Sequence, residues 1–332
     1  MDEYSNQNLW IEISKPNLVN NIQKFRNLTK LNEPFINVQA NALGFGVNPI
    51  IRSLVAAGVS GFAVSNLDEA IELRRWGTNK PIILRYPILS KYHQLCKNYT
   101  LIIPVFSFNE LQDMITSTKI NDPLTISLVL GEMGFKNLRL IQQAINFCQE
   151  HPSKLNYWGM QYFGKPNSQL IDHKIVKQLQ TLKENFGGIY YTKRQKQVNL
   201  IGGSSIYGFG ENPEIKEVLR LRSRIVHLEK SSSNQWLITV PLGLGNGFSQ
   251  GFQNFKAIIN GKIQAKIFQV TLDRTQLIVD EPFPLGTIVT FWGQEDQAKI
   301  TLTQAANYLK ISPVELTTRL SCQMSRRLIT DY

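Results

Sequence analysis

Seven short runs rich in β-branched and aromatic residues recur before residue 205, separated by stretches whose apolar residues return at helical spacing. The runs are PFINVQA, GFAVSN, PIILRY, LIIPVFS, LTISLVL, LNYWGMQYF and QVNLIGG. Between them, PIIRSLVAAG, LDEAIELRRWG, NELQDMITSTK, NLRLIQQAINFCQEH and KIVKQLQTLKENFG place apolar side chains at i, i+3, i+4 and i+7. These segments often finish on glycine or a basic residue, as amphipathic helices do. An earlier helix, KPNLVNNIQKFRNL, carries its proline in the first turn, a favoured place for it. A strand roughly every 20 residues with a helix between requires parallel strands joined by right-handed crossovers. Two architectures satisfy that: a (β/α)8 barrel or a doubly wound sheet.

Near residue 220 the rhythm changes. VLRLRSRIVHLEK, QWLITVPLGLGNG, FKAIINGKIQAKIFQVTLD and TQLIVDEPFPLGTIVTFWG alternate apolar and polar residues without helices between them, the pattern of an antiparallel β domain. A last helix is expected around TLTQAANYLK and PVELTTRLSCQMSRR. With 332 residues the chain is long enough for a large domain and a smaller one.

Composition narrows the function. The chain is 42% hydrophobic and 18% charged, without low-complexity tracts, so a folded protein without long tails is expected. Lysine and arginine number 36 against 25 acids, a formal charge of +11 that could attract polyanions. Those charges are scattered, and their densest cluster, Tyr190-Tyr191-Thr192-Lys193-Arg194-Gln195-Lys196, reads as a solvated loop; a nucleic-acid partner is not expected. Cys96, Cys148 and Cys322 are far apart and odd in number, which fits free thiols in a reducing compartment. His93, His151, His173 and His227 form no metal-binding pair, so no metal is expected. No membrane span or secretory signal is apparent, which makes the cytoplasm the simplest location.

The first β-rich run opens into NVQANALGFG, a small-residue loop at the end of a strand, where α/β enzymes place reactive groups. Taken alone, Gly44 and Gly46 require no more than a tight turn. The loop nevertheless resembles the K-A-[ND]-A-Y-G-H-G signature of the alanine racemase family, here written QANALGFG. Further resemblances follow in the family's order: FAVSNLDEAIELRRWG, VPLGLGNGF, INGKIQAKIFQVTLDRTQLIVDE and PLGTIVTFWG. The resemblance covers nearly the whole chain. It implies a TIM-type (β/α)8 barrel that binds pyridoxal phosphate (PLP), then a mainly antiparallel β domain. The expected division is a strand within residues 1–11 joining the β domain, a barrel over 12–218 and a β domain over 219–332. A homodimer is implied as well, because the family caps each barrel with the partner's β domain.

Family chemistry needs a lysine amine to hold PLP as an imine and a second acid/base on the opposite face, a tyrosine from the partner. Gln39 stands in the lysine's column, and its amide nitrogen is neither nucleophilic nor basic near pH 7. The family's tyrosine-bearing hairpin is reduced to Ser231-Ser232-Ser233-Asn234-Gln235. Leu43 replaces a phosphate-binding tyrosine, Phe45 replaces a histidine, and Tyr162 falls where another histidine is expected. The arginine that faces the PLP phenolic oxygen is met by Phe135 or Lys136, and the R-P-G phosphate segment has no counterpart.

What survives is Gly203-Ser204-Ser205, suited to an anion, with Asn41, Lys136, Tyr162, Leu272 and Asp273 as further candidate ligand contacts. The leading expectation is a binding, regulatory or scaffolding homologue with no catalytic residue at Gln39 and no covalent cofactor, noncovalent PLP remaining open. The alternative is an amino-acid isomerase or lyase, with or without PLP, rebuilt on Lys136, Glu132 and Asp273, the two carboxyls having their pKa values split by burial.

Overall fold

The computed structural model describes residues 7–29, 34–117, 122–163, 190–194, 197–209, 214–231 and 235–330. Contacts divide the chain into two compact units. One comprises Ile22–Ala40 and Ile51–Ile206; the other comprises Met1–Asn21, Asn41–Ile50 and Tyr207–Tyr332.

After a first strand β1 (Leu9–Ser14) and helix α1 (Lys15–Thr29), eight strands close into a barrel. They are β2 (Phe35–Asn37), β3 (Gly61–Val64), β4 (Ile82–Leu84), β5 (Leu101–Val105), β6 (Leu124–Gly131), β7 (Leu155–Phe163), β8 (Tyr190–Arg194) and β9 (Gln197–Gly202). Strands β2 to β7 run parallel in sequence order, and β9 returns parallel to β2. Every residue of β3, β4 and β5 is buried, which is why these strands read as unbroken apolar runs. Phe35, Ala63, Ile83, Ile102 and Trp158 form a core cluster in which the rings of Phe35 and Trp158 meet edge to face at 5.6 Å.

The eighth strand corrects the sequence reading. Tyr190–Arg194 is not a loop but β8, antiparallel to both β7 and β9. Its tyrosines and threonine favour strand, and a two-residue link to β9 permits only a hairpin. Gln195, Lys196, His173 and the helix expected over KIVKQLQTLKENFG lie outside the described residues.

Helices α2 (Gln39–Leu43), α3 (Val47–Ala56), α4 (Leu67–Arg75), α5 (His93–Asn98), α6 (Phe108–Ser117) and α7 (Leu138–Glu150) intervene. Asn66 caps α4 by accepting the Glu69 N–H, with Asp68 and Glu69 in the first turn and Arg74 and Arg75 in the last, complementing the helix dipole. Asn137 caps α7 in the same way.

The other unit is built on a ten-stranded sheet. Its further strands are β10 (Leu219–Arg224), β11 (His227–Lys230), β12 (Trp236–Val240), β13 (Lys256–Ile259), β14 (Lys262–Val270), β15 (Thr275–Val279), β16 (Ile288–Glu295), β17 (Ala298–Ile300) and β18 (Ser325–Ile329). The order is β11-β12-β15-β14-β13-β16-β10-β1-β18, with β17 on β16. Strand β1 is thus a member of this sheet, antiparallel to β10 and parallel to β18. Strand β10 alternates buried Leu219, Leu221 and Ser223 with half-buried arginines. Phe248 stacks on Phe252 at 4.6 Å and meets Phe291 at 5.0 Å to form the aromatic core.

Helices α8 (Leu302–Tyr308) and α9 (Pro313–Thr318) fall where a closing helix was expected, but the following Ser325-Arg326-Arg327 belongs to β18. The ladder to β1 overrides the helical tendency of that stretch. No described helix is long and apolar enough to cross a membrane.

Candidate functional site

Past β2, the Gln39 N–H donates to Asn37 Oδ1 at 3.0 Å, and the Asn37 side-chain amide faces Gln39 Oε1 at 3.4 Å. Asn37 is buried and Gln39 half-buried. Ala40, Asn41, Ala42 and Leu43 then take φ values of 50, 53, 56 and 54°, so α2 is a single left-handed turn. Left-handed backbone costs roughly 1–2 kcal/mol for each non-glycine residue, and such turns persist only where their surroundings impose them.

The imposing groups are identifiable. Glu69 accepts the Ala40 N–H at 2.7 Å on one carboxylate oxygen, and the Ser65 N–H and hydroxyl at 2.8 Å each on the other. Asn41 accepts the Gly46 N–H on its carbonyl (2.9 Å) and the Val47 N–H on its side-chain oxygen (2.8 Å), which starts α3. Arg326 donates twice to the Gly44 carbonyl, at 3.0 and 2.8 Å, and also to the carbonyls of Ser321 and Met324. Gly44 has φ +87°, and a Cβ there would lie 2.1 Å from the Thr317 carbonyl oxygen. Burial lowers the pKa of Arg326, yet a guanidinium so placed remains charged.

Two positions of this stretch are filled with apolar bulk. Leu43 is buried, and the fully buried Phe45 ring lies 5.0 Å from that of Tyr207 and 5.6 Å from that of Phe209. Burial drives the Tyr207 hydroxyl far above the ordinary phenol range.

Beyond β6, the Phe135 N–H bonds back to Val129 O at 2.8 Å, its carbonyl accepts the Gly131 N–H, and its ring is buried. Lys136 points outward, its ammonium on the Glu132 carbonyl at 2.6 Å. Glu132 is exposed, and so is Asp273, which accepts the Thr271 hydroxyl at 3.2 Å in the turn between β14 and β15. Both carboxylates sit on solvent-facing turns, so the burial that the sequence reading expected of them is not found. Leu272 is 71% exposed, while its carbonyl accepts the Gly245 N–H at 2.8 Å.

Directly after β9, Gly203 and Ser205 are buried and Ser204 half-buried. Ser205 Oγ has no hydrogen-bond partner among the described residues. Tyr162 pairs through its backbone with Leu130 and Tyr191, and its side chain lies outside what is described.

Sequence reasoning singled out neither Glu69 nor Arg326, although Glu69 falls inside the recognised FAVSNLDEA stretch. It also passed over Arg85, buried just after β4, and Gln161, whose amide donates to Leu84 O at 3.0 Å and Ser127 Oγ at 2.7 Å. A cation closing the apolar run PIILR was the available signal. Within the barrel unit, the residues next to Gln39 are thus held by amides and by a carboxylate bound to three donors, with no amine among those side chains; within the other unit, a guanidinium holds the Gly44 carbonyl.

A TIM-type barrel followed by an antiparallel β domain is the fold that the chain shares with solved alanine racemases. The sequence matches the family described as "Alanine racemase, N-terminal domain" over residues 13–220 and that described as "Alanine racemase, C-terminal domain" over 224–328. The chain belongs to the alanine racemase family, a family of PLP-dependent racemases. It is 24% identical to a lysine racemase of Oenococcus oeni, across 96% of this chain and 97% of that protein. It is 26% identical to an alanine racemase of Streptococcus pneumoniae, across 89% of each. Its fold matches the crystal structure of the Oenococcus oeni alanine racemase with a TM-score of 0.82, at 22% identity and 97% and 99% coverage. A histidine racemase from Leuconostoc mesenteroides matches at TM-score 0.76, 18% identity and 98% and 99% coverage.

Proposed function

We propose that this chain is a racemase-family protein that does not racemise alanine and acts as a noncatalytic homologue, a binding, regulatory or scaffolding partner working as a homodimer. The observation that carries the reading is the amide at position 39, held beside Asn37, in the place that the resemblance of QANALGFG to the family signature gives to the lysine. An amide cannot condense with an aldehyde, so the residues here do not fit a lysine-bound PLP. Phe45, packed between Tyr207 and Phe209, has no proton to exchange, and Lys136 holds its ammonium against backbone carbonyls. A feature suited to an anion is Gly203–Ser205, where the buried Ser205 hydroxyl has no partner among the described residues.

The test is racemisation of L-alanine, L-lysine and L-histidine by the purified protein with PLP added. No turnover above the uncatalysed rate is expected. Turnover within the ordinary enzyme range of about 1–10³ s⁻¹ on any of the three overturns the reading.

A further inference from the structure

Away from the turn at Gln39, the last two turns of α3 and the segment after α4 border an open groove of about 600 Å³. Ile51, Val55 and Ala56 supply its apolar side, and Trp76 adds an indole that is 40% exposed. Arg52 and Lys80 also line it, and no carboxylate is among the described lining residues. The neighbouring surface beyond Trp76 carries Asp68 and Glu72 beside Arg75, whereas the charged groups lining this groove are both cations. An anion is therefore drawn to the Arg52 and Lys80 side.

The groove is held in shape from beneath. Arg74 donates to the carbonyls of Thr78 (2.9 Å), Lys80 (2.7 Å), Tyr99 (2.8 Å) and Thr100 (2.9 Å), and the Lys80 N–H donates to Thr78 Oγ1 at 3.2 Å. Gly77, at φ +85°, ends α4 with its N–H on Arg74 O. A segment fixed by one guanidinium on four carbonyls loses little conformational freedom when a ligand arrives.

Apolar side chains, an exposed indole and two cations are elements that recognise a planar ring bearing a phosphate. The volume suits a small ligand, within the usual range of roughly 300–1,000 Å³, and is too short for a polymer to fill. We propose that this groove binds a nucleoside phosphate, its base against Trp76 and its phosphate between Arg52 and Lys80. The site is separate from the turn at Gln39 and independent of the function proposed above.

Calorimetric titration of the full chain with AMP, adenosine and inorganic phosphate tests this. AMP is expected to bind, with adenosine and phosphate each at least about ten-fold weaker. Trp76→Leu should weaken AMP binding about ten-fold or more, and Arg52→Gln and Lys80→Gln about ten-fold each. Should Trp76→Leu fail to fold, Arg52→Gln carries the test, since Arg52 is exposed on its helix. Absence of AMP binding at millimolar concentration, or variants that bind as the parent does, would overturn the proposal. So would preference for a single-stranded oligonucleotide with affinity falling steeply between about 50 and 200 mM salt. Each readout is binding alone, so none depends on whether the chain racemises amino acids.

Discussion

After β2 the chain holds four consecutive non-glycine residues at φ between 50 and 56°, whereas after β6 it folds back on its own backbone, Phe135 to Val129 and Lys136 to Glu132. The first turn is imposed from outside by Glu69 and by Arg326, 282 residues from Gly44. The second is closed by neighbours within six residues. A turn clamped by distant groups depends little on the side chain at its head. A turn closed locally has nothing beyond itself to hold a particular cation in place. That contrast accounts for a racemase-like frame at Gln39 alongside an outward-facing Lys136.

Substitutions at the clamps should separate the two turns most sharply. Gly44→Ala would place a Cβ 2.1 Å from the Thr317 carbonyl oxygen at a positive φ. A loss of about 4 kcal/mol or more, or failure to fold, is expected in urea denaturation. Glu69→Ala removes the acceptor of three hydrogen bonds and should cost about 2–3 kcal/mol by the same measurement. An unchanged denaturation midpoint would mean that the left-handed turn needs no clamp. At the other turn, Lys136→Met should shift stability by less than about 0.5 kcal/mol, since the side chain is exposed and, among the described residues, bonded to nearby carbonyls. A larger loss would make that turn as constrained as the first.

Much of this frame was legible in the sequence. Strands β3 to β5 announced themselves as apolar runs because both of their faces are covered, and Gln39 stood out because a signature surrounds it. Strand β8 was missed because two tyrosines beside three cations look like a solvated loop until the hairpin with β9 is known. Strand β18 was missed because Ser325-Arg326-Arg327 follows a helical segment and becomes strand only through its ladder to β1. The left-handed turn runs against the local preference of alanine and leucine, so no propensity argument reaches it. Its clamps are hydrogen bonds between residues far apart in sequence, and periodicity carries no information about those.

The smallest expected effect concerns pH. Neither turn contains a histidine, whereas His93, at the start of α5, is buried and its pKa is lowered by that burial. Its folded-state pKa lies below the ordinary 6.5, so the unfolded chain takes up a proton first. Stability should then be complete above pH 6.5 and decline as pH falls below it. His93→Gln should flatten that portion of a melting-temperature profile; a profile of unchanged slope would assign the acid sensitivity elsewhere.

The central claim concerns position 39, and an absorption spectrum tests it directly. Purified protein incubated with PLP is expected to show no visible imine band, and the same sample, then reduced with borohydride and digested for mass mapping, no stoichiometric pyridoxyl adduct on any peptide. A visible imine band accompanied by a pyridoxyl-lysine anywhere in the barrel would contradict the account.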